Sequence, residues 1–308
     1  MSVDWLIPAL LTIVTAATPL VFAAVGEVVV EKAGVLNLGV EGMMIIGAIA
    51  AFATAVSTGS EVLAILAGAG AGVLIAMIFG VLTVYLQSNQ VATGLALTIF
   101  GLGLSALIGH SYVGKTFGGL EKLNIPGLSD IPVIGPVLFG HDALVYLSVV
   151  SVAIVAWVLT RTRTGLLIRA VGENHDAAHS IGYSVTLVRM GAIMFGGAMA
   201  GIGGAYLSVA YTPLWVENMT AGRGWIALAL VVFASWKPWR AFFGAYLFGG
   251  ITIIQLYAQG MGVEVSAQFL SMLPYLATIL VLVIISRDSA RARLDAPACL
   301  GKNFHASG

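Results

Sequence analysis

Five polar side chains interrupt an almost continuous apolar run near the amino terminus. Residues 25–44 read VGEVVVEKAGVLNLGVEGMM, and the polar members are Glu27, Glu31, Lys32, Asn37 and Glu41. Ionisable groups in such apolar segments are costly and usually functional. Carboxylates and an amide placed there can hydrogen-bond a polar solute, so this run is the first candidate for a solute site.

Two interpretations of this run stay open. In one, Glu27, Glu31 and Lys32 turn the chain between two membrane segments at the cytoplasmic interface, and Glu41 complements the dipole of the next helix. In the other, the second segment is broken, and Asn37 and Glu41 face a central pathway, because irregular backbone at membrane depth needs protein or water around it. We place the first three residues at the interface and predict that Asn37 and Glu41 lie in or near a solute pathway.

A second polar cluster precedes the fourth apolar segment and includes Gln90 and Thr93. Amide and hydroxyl groups can hydrogen-bond a sugar or a ribose, and the glycines that follow suit another broken helix. An ordinary inner loop followed by a helix start explains the same residues equally well. We add Gln90 and Thr93 to the predicted pathway and keep the plainer interpretation beside it.

Two short motifs resemble ligand-binding or catalytic sites. Residues 109–116, GHSYVGKT, match the phosphate-binding loop pattern, but that loop needs a preceding strand and a nucleotide-binding domain around it. Residues 175–179, HDAAH, resemble a zinc-protease pair, since two histidines four residues apart share a helix face. No third ligand is evident. We interpret the first motif as a chance match and the second as two exposed histidines on a loop helix.

The composition indicates which elements hold these residues. The 308 residues are 59% hydrophobic and only 9% charged, whereas soluble proteins carry about 25% charged residues. Several apolar runs reach the roughly 20 residues that cross a bilayer as a helix. The predicted fold class is therefore all-α, a polytopic transmembrane helical bundle in a lipid bilayer. Zero net charge gives no sign of a nucleic-acid partner, and the single cysteine, Cys299, excludes an intramolecular disulfide.

Nine apolar segments are predicted, within a range of about eight to ten membrane segments. They cover residues 5–26, 36–57, 62–86, 91–109, 143–160, 188–210, 224–236, 241–259 and 267–286. The seventh is short for a full span, and the second and fourth contain the polar residues and glycines typical of broken or re-entrant segments. Residues 1–286 are predicted to form one transmembrane domain, and residues 287–308 a cytoplasmic tail.

The basic residues predict the orientation. With nine spans and the amino terminus outside, eleven Lys and Arg residues fall on one face and three on the other. Because cytoplasmic loops are enriched in Lys and Arg, the carboxyl tail is predicted to be cytoplasmic. The outer loop, residues 110–142, then forms an irregular cap. The inner loop, residues 161–189, is predicted to contain a short helix from about Glu173 to Ile181.

Three separated motifs resemble those of bacterial ABC importer permeases, in the branch that includes ribose, branched-chain amino acid and nucleoside systems. The inner loop carries RTRTGLLIRAVGENHDAAHSIGYSV, and GRGWIALALVVFASWKPWRAFFGAYLFGG follows later. The NLGVEG form of the opening run is similar to the nucleoside and simple-sugar branch. Two departures are His175, where the family often has proline, and residues 233–236, FASW, where it more often has Phe-Gly-x-Trp. The resemblance covers nearly the whole chain.

This resemblance implies a permease subunit of an ATP-binding cassette importer in a bacterial inner membrane, which moves a nucleoside, or next a simple sugar, by alternating access. It implies that the inner loop docks into an ATPase subunit as a coupling helix. The coupling residues carried over are Arg169, Gly172, Glu173, Asn174, Ala177, Ala178 and Gly182. The expected partners are separate cytoplasmic ATPase subunits, an extracytoplasmic solute-binding protein and a second permease, either a homologue or another copy. No catalytic residue, cofactor or metal is expected.

Two other classes of protein compete with this interpretation. A stand-alone secondary transporter needs a coupling-ion site, and apart from Glu27 and Glu41 the predicted spans hold almost no ionisable side chain. An intramembrane metalloprotease would use His175 and His179, but both fall outside the spans. Uptake by the chain alone, driven by an ion gradient, would favour the transporter, and bound metal in the purified protein would favour the protease.

Overall fold

The chain is mainly helical in the part that a computed structural model describes. The described residues are 6–123, 126, 127, 129, 131, 134–260 and 295–305, with scattered positions between 266 and 283. Among them there is no β-strand, only two isolated β-bridges. The α-helices are α1 (Leu6–Lys32), α2 (Val40–Thr58), α3 (Glu61–Gly80), α4 (Gln90–Gly109), α5 (Ile134–Phe139), α6 (Ala143–Arg161), α7 (Arg163–Glu173), α8 (His175–Ser180), α9 (Val185–Tyr206), α10 (Arg223–Phe233) and α11 (Pro238–Gly260). The predicted all-α class is confirmed.

Seven helical stretches in the described chain are long and apolar enough to cross a membrane, by length and composition. They are Ile7–Lys32, Val40–Thr58, Glu61–Tyr85, Gln90–Tyr112, Ala143–Arg161, Val185–Tyr211 and Pro238–Gly260. These stretches correspond to the predicted segments one to six and eight. The seventh predicted segment contains α10, which has only 11 residues. The ninth, residues 267–286, lies mostly outside the described residues.

Helix α1 occupies the centre of the bundle, where α6, α9, α10 and α11 pack around it. An all-round apolar helix of this kind belongs in a core or a membrane. Helix α1 continues to Lys32, so Glu27, Glu31 and Lys32 are helical, and the predicted hairpin turn at these residues is wrong; the chain turns after them, over residues 33–39. The valines between the charges extend the helix, and Glu27 and Glu31 lie inside the protein with 1% of their surface exposed.

Glycines bring helices α2, α3 and α9 into backbone contact. These glycines, here named the glycine seam, are Gly47 on α2, Gly68 and Gly72 on α3, and Gly197 and Gly201 on α9. A Cβ atom on Gly72 would overlap the carbonyl oxygen of Gly197, and one on Gly201 would overlap that of Gly68. Small residues allow membrane helices to approach this closely, so the seam fixes the three helices against one another.

Two helices begin deep in the bundle, next to each other. Helix α2 starts after a non-helical stretch over residues 33–39, and α10 starts after another over residues 212–222. With its 11 residues, α10 is about 16 Å long, roughly half the thickness of the hydrocarbon core. The predicted irregularity of the second segment is thus a late helix start, and α10 is a half-length helix.

Helix α4 is continuous over 20 residues, so the predicted break in the fourth segment is wrong. Its glycines serve close packing instead of a break, because Gly94 and Gly101 approach the backbone of residues 38–42. A side chain at either position would push the helices apart. Helix α4 therefore supports the stretch that leads into α2.

Several loops and the carboxyl-terminal segment gather at one end of the bundle, which we name the basal end. The residues that meet there are 33–39, 86–90, 162–184, 234–237 and 295–305. At the other end, Thr116 and Leu214 form an isolated β-bridge. This bridge joins the outer loop to the stretch that descends into the bundle and leads to α10.

Candidate functional site

The carboxylate of Glu41 joins the beginning of α2 to the beginning of α10. Glu41 Oε1 accepts hydrogen bonds from the Thr220 hydroxyl (2.5 Å) and the Gly222 N–H (2.8 Å), and Oε2 accepts one from the Gly224 N–H (2.6 Å). Only 3% of the surface of Glu41 is exposed. A carboxylate at this position satisfies N–H groups that have no partner within the helix. We name these four residues the Glu41 junction.

The partners of Glu41 were missed by sequence reasoning. The chain reaches the junction through residues with positive φ, among them Asn218 at 56° and Ala221 at 46°. A Cβ atom on Gly224 would lie 2.5 Å from the backbone of Glu41, so only glycine allows the approach. The available signal was the Gly-Arg-Gly run at 222–224, because glycine permits close backbone contact.

Asn37 lies fully buried beside Glu27. Its Nδ2 donates to Glu27 Oε2 at 3.4 Å, and its Oδ1 accepts the N–H of Gly39 at 3.0 Å, which holds the turn before α2. The other carboxylate oxygen, Glu27 Oε1, is buried and has no hydrogen-bond partner in the described part of the chain. A buried acceptor without a partner costs about 1–3 kcal/mol, so this oxygen is an unsatisfied polar atom beside Asn37 in the interior.

Glu31 holds the far end of α10. Its Oε2 accepts a hydrogen bond from the indole N–H of Trp236 at 2.5 Å, just after the helix ends. The ammonium group of Lys32 lies 5.9 Å from the centroid of the same ring. Acidic side chains therefore fix α10 at both ends, Glu41 at its beginning and Glu31 beyond its end.

Gln90 and Thr93 lie near the basal end rather than around Glu41. Gln90 Oε1 accepts the N–H of Leu36 at 2.8 Å, which ties the start of α4 to the stretch before α2. The hydroxyl of Thr93 lies 2.8 Å from that of Ser88. Two of the four predicted pathway residues, Asn37 and Glu41, belong to the stretch 36–41, and Gln90 contacts it through Leu36. Thr93, the fourth, contacts Ser88 instead.

The inner loop forms two helices with regular N-caps. The hydroxyl of Thr162 accepts the N–H of Gly165 at 3.1 Å to begin α7, and Asn174 Oδ1 accepts the N–H of Ala177 at 2.9 Å to begin α8. Ser, Thr, Asp and Asn are the residues that cap helices in this way. The short helix predicted from about Glu173 to Ile181 corresponds to α8.

The residues carried over as coupling residues divide into an outward and an inward set. The exposed members are Arg169, Glu173, Asn174, Ala177 and Gly182. Gly172 is buried where its Cβ would overlap the carbonyl oxygen of Lys32, and Ala178 packs against Val171 and Phe304 in a small apolar cluster. Of the alanine pair, only Ala177 is therefore open to a docking partner.

The two motif matches have structural explanations. The GHSYVGKT run follows helix α4 rather than a strand, and Gly109 is in close contact with the ring of Trp215. His175 and His179 do share a helix face, but the ring of Phe304 occupies it, with ring centroids 5.3 and 5.2 Å apart. Among the described residues, no three His, Cys, Asp or Glu side chains are grouped to hold a metal ion.

His175 faces a buried cation. Its Nδ1 lies 3.1 Å from Arg189 Nη2. Burial, and then the charge of Arg189, lower the pKa of His175 below its usual value of 6.5. The folded protein therefore favours the neutral imidazole, which can accept the guanidinium hydrogen bond.

A helical bundle with seven membrane-length stretches in its described part, a half-length helix and two helix beginnings in its interior is that of a polytopic membrane protein. Residues 9–285 match the family model described as "Branched-chain amino acid transport system / permease component". The chain belongs to this permease family.

Relatives cover almost the entire chain. It is 38% identical to the "Putative glucose ABC transporter permease protein" of Haloferax volcanii, with 95% of each chain covered. It is 35% identical to the nucleoside ABC transporter permease protein of Lactococcus lactis, over 91% of this chain and 92% of the relative. It is 32% identical to the guanosine ABC transporter permease protein of Bacillus subtilis, over 93% and 94%. No solved structure matches the chain.

These comparisons confirm the family that the three motifs resembled. The chain is a multi-pass membrane protein and a permease subunit of an ABC importer. Such subunits are transport components without an ATPase site of their own. Membership of the family implies ATPase subunits and a solute-binding protein as partners.

Proposed function

We propose that this permease imports a nucleoside, or second in order a simple sugar, along a pathway that passes the Glu41 junction. The observation that carries this proposal is the meeting of two helix beginnings, α2 and α10, around one buried carboxylate. Transporters commonly bind polar solutes at the ends of broken helices. Glu27, Asn37 and Glu41 line the proposed pathway, and Gln90 and Thr93 stand at its basal end.

The solute class rests on the relatives together with the chemistry of these residues. Two of the relatives are named for a nucleoside or guanosine and one for glucose. Nucleosides and sugars both carry hydroxyl donors, and the free Oε1 of Glu27 is an acceptor without a partner among the described residues. Asn37, beside it, offers an amide that can donate or accept.

We place the amino terminus outside and the carboxyl tail in the cytoplasm. The basic residues favour this orientation by eleven to three in the nine-span topology, as the positive-inside rule requires. In support, residues 295–305 pack beside Lys32, at the opposite end of α1 from its first residue. We also propose that α8 docks into an ATPase subunit and that a second permease, a homologue or another copy, completes the pore.

Uptake measurements on the assembled transporter test the solute class. The chain is reconstituted in liposomes with its ATPase subunits and binding protein, and labelled guanosine and glucose are supplied in parallel. We expect ATP-dependent uptake of guanosine to exceed that of glucose. Uptake of glucose but not of guanosine would overturn the proposal that the solute is a nucleoside. Uptake by the chain alone, driven by an ion gradient, would instead indicate a secondary transporter.

A further inference from the structure

The carboxyl-terminal segment packs against the helices of the inner loop. The Cys299 N–H donates to the carbonyl oxygen of Gly172 at 2.8 Å, and its Sγ lies 3.4 Å from the carbonyl oxygen of Glu173. The Gly301 N–H donates to the carbonyl oxygen of Gly34 at 3.2 Å. Residues 299–304, which we name the clasp, therefore contact both the end of α7 and the stretch that follows α1.

Phe304 anchors the clasp to α8. Its ring packs edge-on against both His175 and His179. Phe304 is itself buried in the small apolar cluster that contains Ala178 and Val185. A displacement of α8 must therefore either carry Phe304 along or break this packing, because buried clusters deform little.

Asn303 connects the clasp to the start of α4. Its Nδ2 donates to the carbonyl oxygen of Gln87 at 2.6 Å, and its Oδ1 accepts from Gln90 Nε2 at 3.3 Å. Gln90 Oε1 in turn accepts the N–H of Leu36, next to Asn37. A continuous series of contacts thus leads from α8 through Phe304, Asn303 and Gln90 to the stretch before α2.

Arg189 provides a second connection between the same parts. Its guanidinium donates to the carbonyl oxygens of Lys302 (2.9 Å) and Ala33 (3.3 Å) and lies against His175. Only 2% of Arg189 is exposed. One buried cation therefore bridges the clasp, α8 and the end of α1.

We propose that the clasp is a positioning element that carries movement of α8 to residues 33–39 and so to the pathway residues Asn37 and Glu41. The inference rests on the proposed docking of α8 into an ATPase subunit. Without the clasp, α8 would still bind the ATPase, but its displacement would reach the pathway only through α9 and the end of α7. ATP hydrolysis would then proceed with little transport.

Two substitutions in the clasp test this role. Phe304→Ala removes the ring between the two histidines, and Asn303→Leu keeps the size of the side chain but removes its hydrogen bonds. Lys302→Ala is the matched control, because its side chain is exposed and only its backbone carbonyl contacts Arg189. ATPase activity stimulated by the binding protein and solute uptake are measured in the same liposomes.

We expect uptake per ATP hydrolysed to fall by at least about fivefold in both clasp variants, the lower end of typical coupling between sites, and to stay unchanged in Lys302→Ala. If both variants couple as well as Lys302→Ala, or if they lose uptake and hydrolysis in proportion, the inference is overturned. Should Phe304→Ala fail to accumulate in the membrane, Asn303→Leu decides the outcome alone.

Ala177→Trp separates this inference from the docking proposal, because Ala177 is exposed on α8. We expect the large ring to disrupt assembly with the ATPase or its stimulation. Normal assembly and coupling in Ala177→Trp would overturn the docking of α8. A defect in Ala177→Trp together with normal coupling in both clasp variants would overturn only the role of the clasp.

The chain also contains a natural reporter of clasp opening. Cys299 is its only cysteine and is buried within the clasp. A maleimide should therefore label Cys299 faster in Phe304→Ala and Asn303→Leu than in the native chain or in Lys302→Ala. Equal labelling rates in all four proteins would contradict the proposed contacts of the clasp.

Discussion

At the scale of single residues, Glu41 holds the beginning of α10 against the beginning of α2. Three donors from the stretch 220–224 meet its two carboxylate oxygens. The sequence predicted that Glu41 lies in or near a solute pathway, because ionisable residues within membrane segments are usually functional. It did not predict the partners, since Thr220 lies 179 residues further along the chain.

Neutralising Glu41 should destabilise the bundle. Glu41→Gln keeps the size of the side chain but replaces one acceptor oxygen with a donor, which then faces backbone N–H groups. We expect a loss of roughly 1–3 kcal/mol in the free energy of unfolding, as for a buried group left without its partner. Thermal unfolding in detergent measures the change.

Glu217→Gln is the matched control for this prediction. Glu217 precedes the junction in the same descending stretch but is exposed, so its neutralisation should leave the unfolding temperature nearly unchanged. Equal effects of the two substitutions would show that the hydrogen bonds at Glu41 contribute little.

His175 should make the stability of the basal end depend on pH. Its pKa is lowered from 6.5, chiefly by burial, and the charged or titratable groups that face it are Arg189, Asp176, Lys302 and His305. Because the folded state favours the neutral form, the unfolded chain binds more protons once the pH falls below the usual pKa. The contribution of neutral His175 to the stability of the fold is therefore fully present above about pH 6.5 and decreases as the pH falls further.

We expect a lower unfolding temperature at about pH 5.5 than at about pH 7.5, and a weaker pH dependence in His175→Gln. His179→Gln is the control, since His179 also contacts Phe304 but is exposed. That variant should keep the pH dependence of the native chain. If His175→Gln also keeps the native pH dependence, a group other than His175 causes it.

At the scale of helices, the sequence predicted most spans and the position of α8 but not how the spans pack. Asn174 is a cap residue followed by residues that tolerate a helix, so α8 was predictable locally. The extension of α1 to Lys32 was not, because the partners of Glu27 and Glu31 come from Asn37 and Trp236. The contact of Glu31 with Trp236, 205 residues further along the chain, was beyond local sequence reasoning.

The glycine seam allows a sharp test on one helix. Gly72→Ala should destabilise the protein by about 1–3 kcal/mol, as overpacking does, because the added methyl would overlap the Gly197 carbonyl oxygen. Gly70→Ala, on the same helix with open space around it, should be neutral or slightly stabilising. Thermal unfolding of both variants measures the difference. Similar unfolding temperatures for the two variants would show that α3 and α9 can move apart without a loss of stability.

At the scale of the whole molecule, the fold places the inner loop, the clasp and the end of α1 together. The number of basic residues on each face predicted a cytoplasmic location for this end but not the packing of residues 295–305 against the bundle. Nothing in residues 295–305 indicated this locally, since their partners are backbone carbonyls and side chains far away along the chain, among them the carbonyl of Gly172 and the side chains of Gln90 and Arg189.

Reporter fusions test the proposed orientation of the chain. Alkaline phosphatase, which is active only outside the cytoplasm, is fused after Gly119 in the outer loop and after Gly308 at the carboxyl end. We expect activity from the first fusion and none from the second. A fluorescent protein fused after Gly308 is the complementary control and should fold in the cytoplasm. The reverse pattern would invert the topology.

The Glu41 junction has a consequence for the kind of solute that can pass. Each helix beginning contributes roughly half a positive charge, so α2 and α10 together supply about one, and the carboxylate supplies the opposite unit. The carboxylate of Glu41 therefore offsets the positive ends of α2 and α10 where the two helices meet. Helix beginnings commonly bind anions, and because Glu41 already accepts their N–H groups, the junction is not left open as an anion site, as suits an uncharged solute.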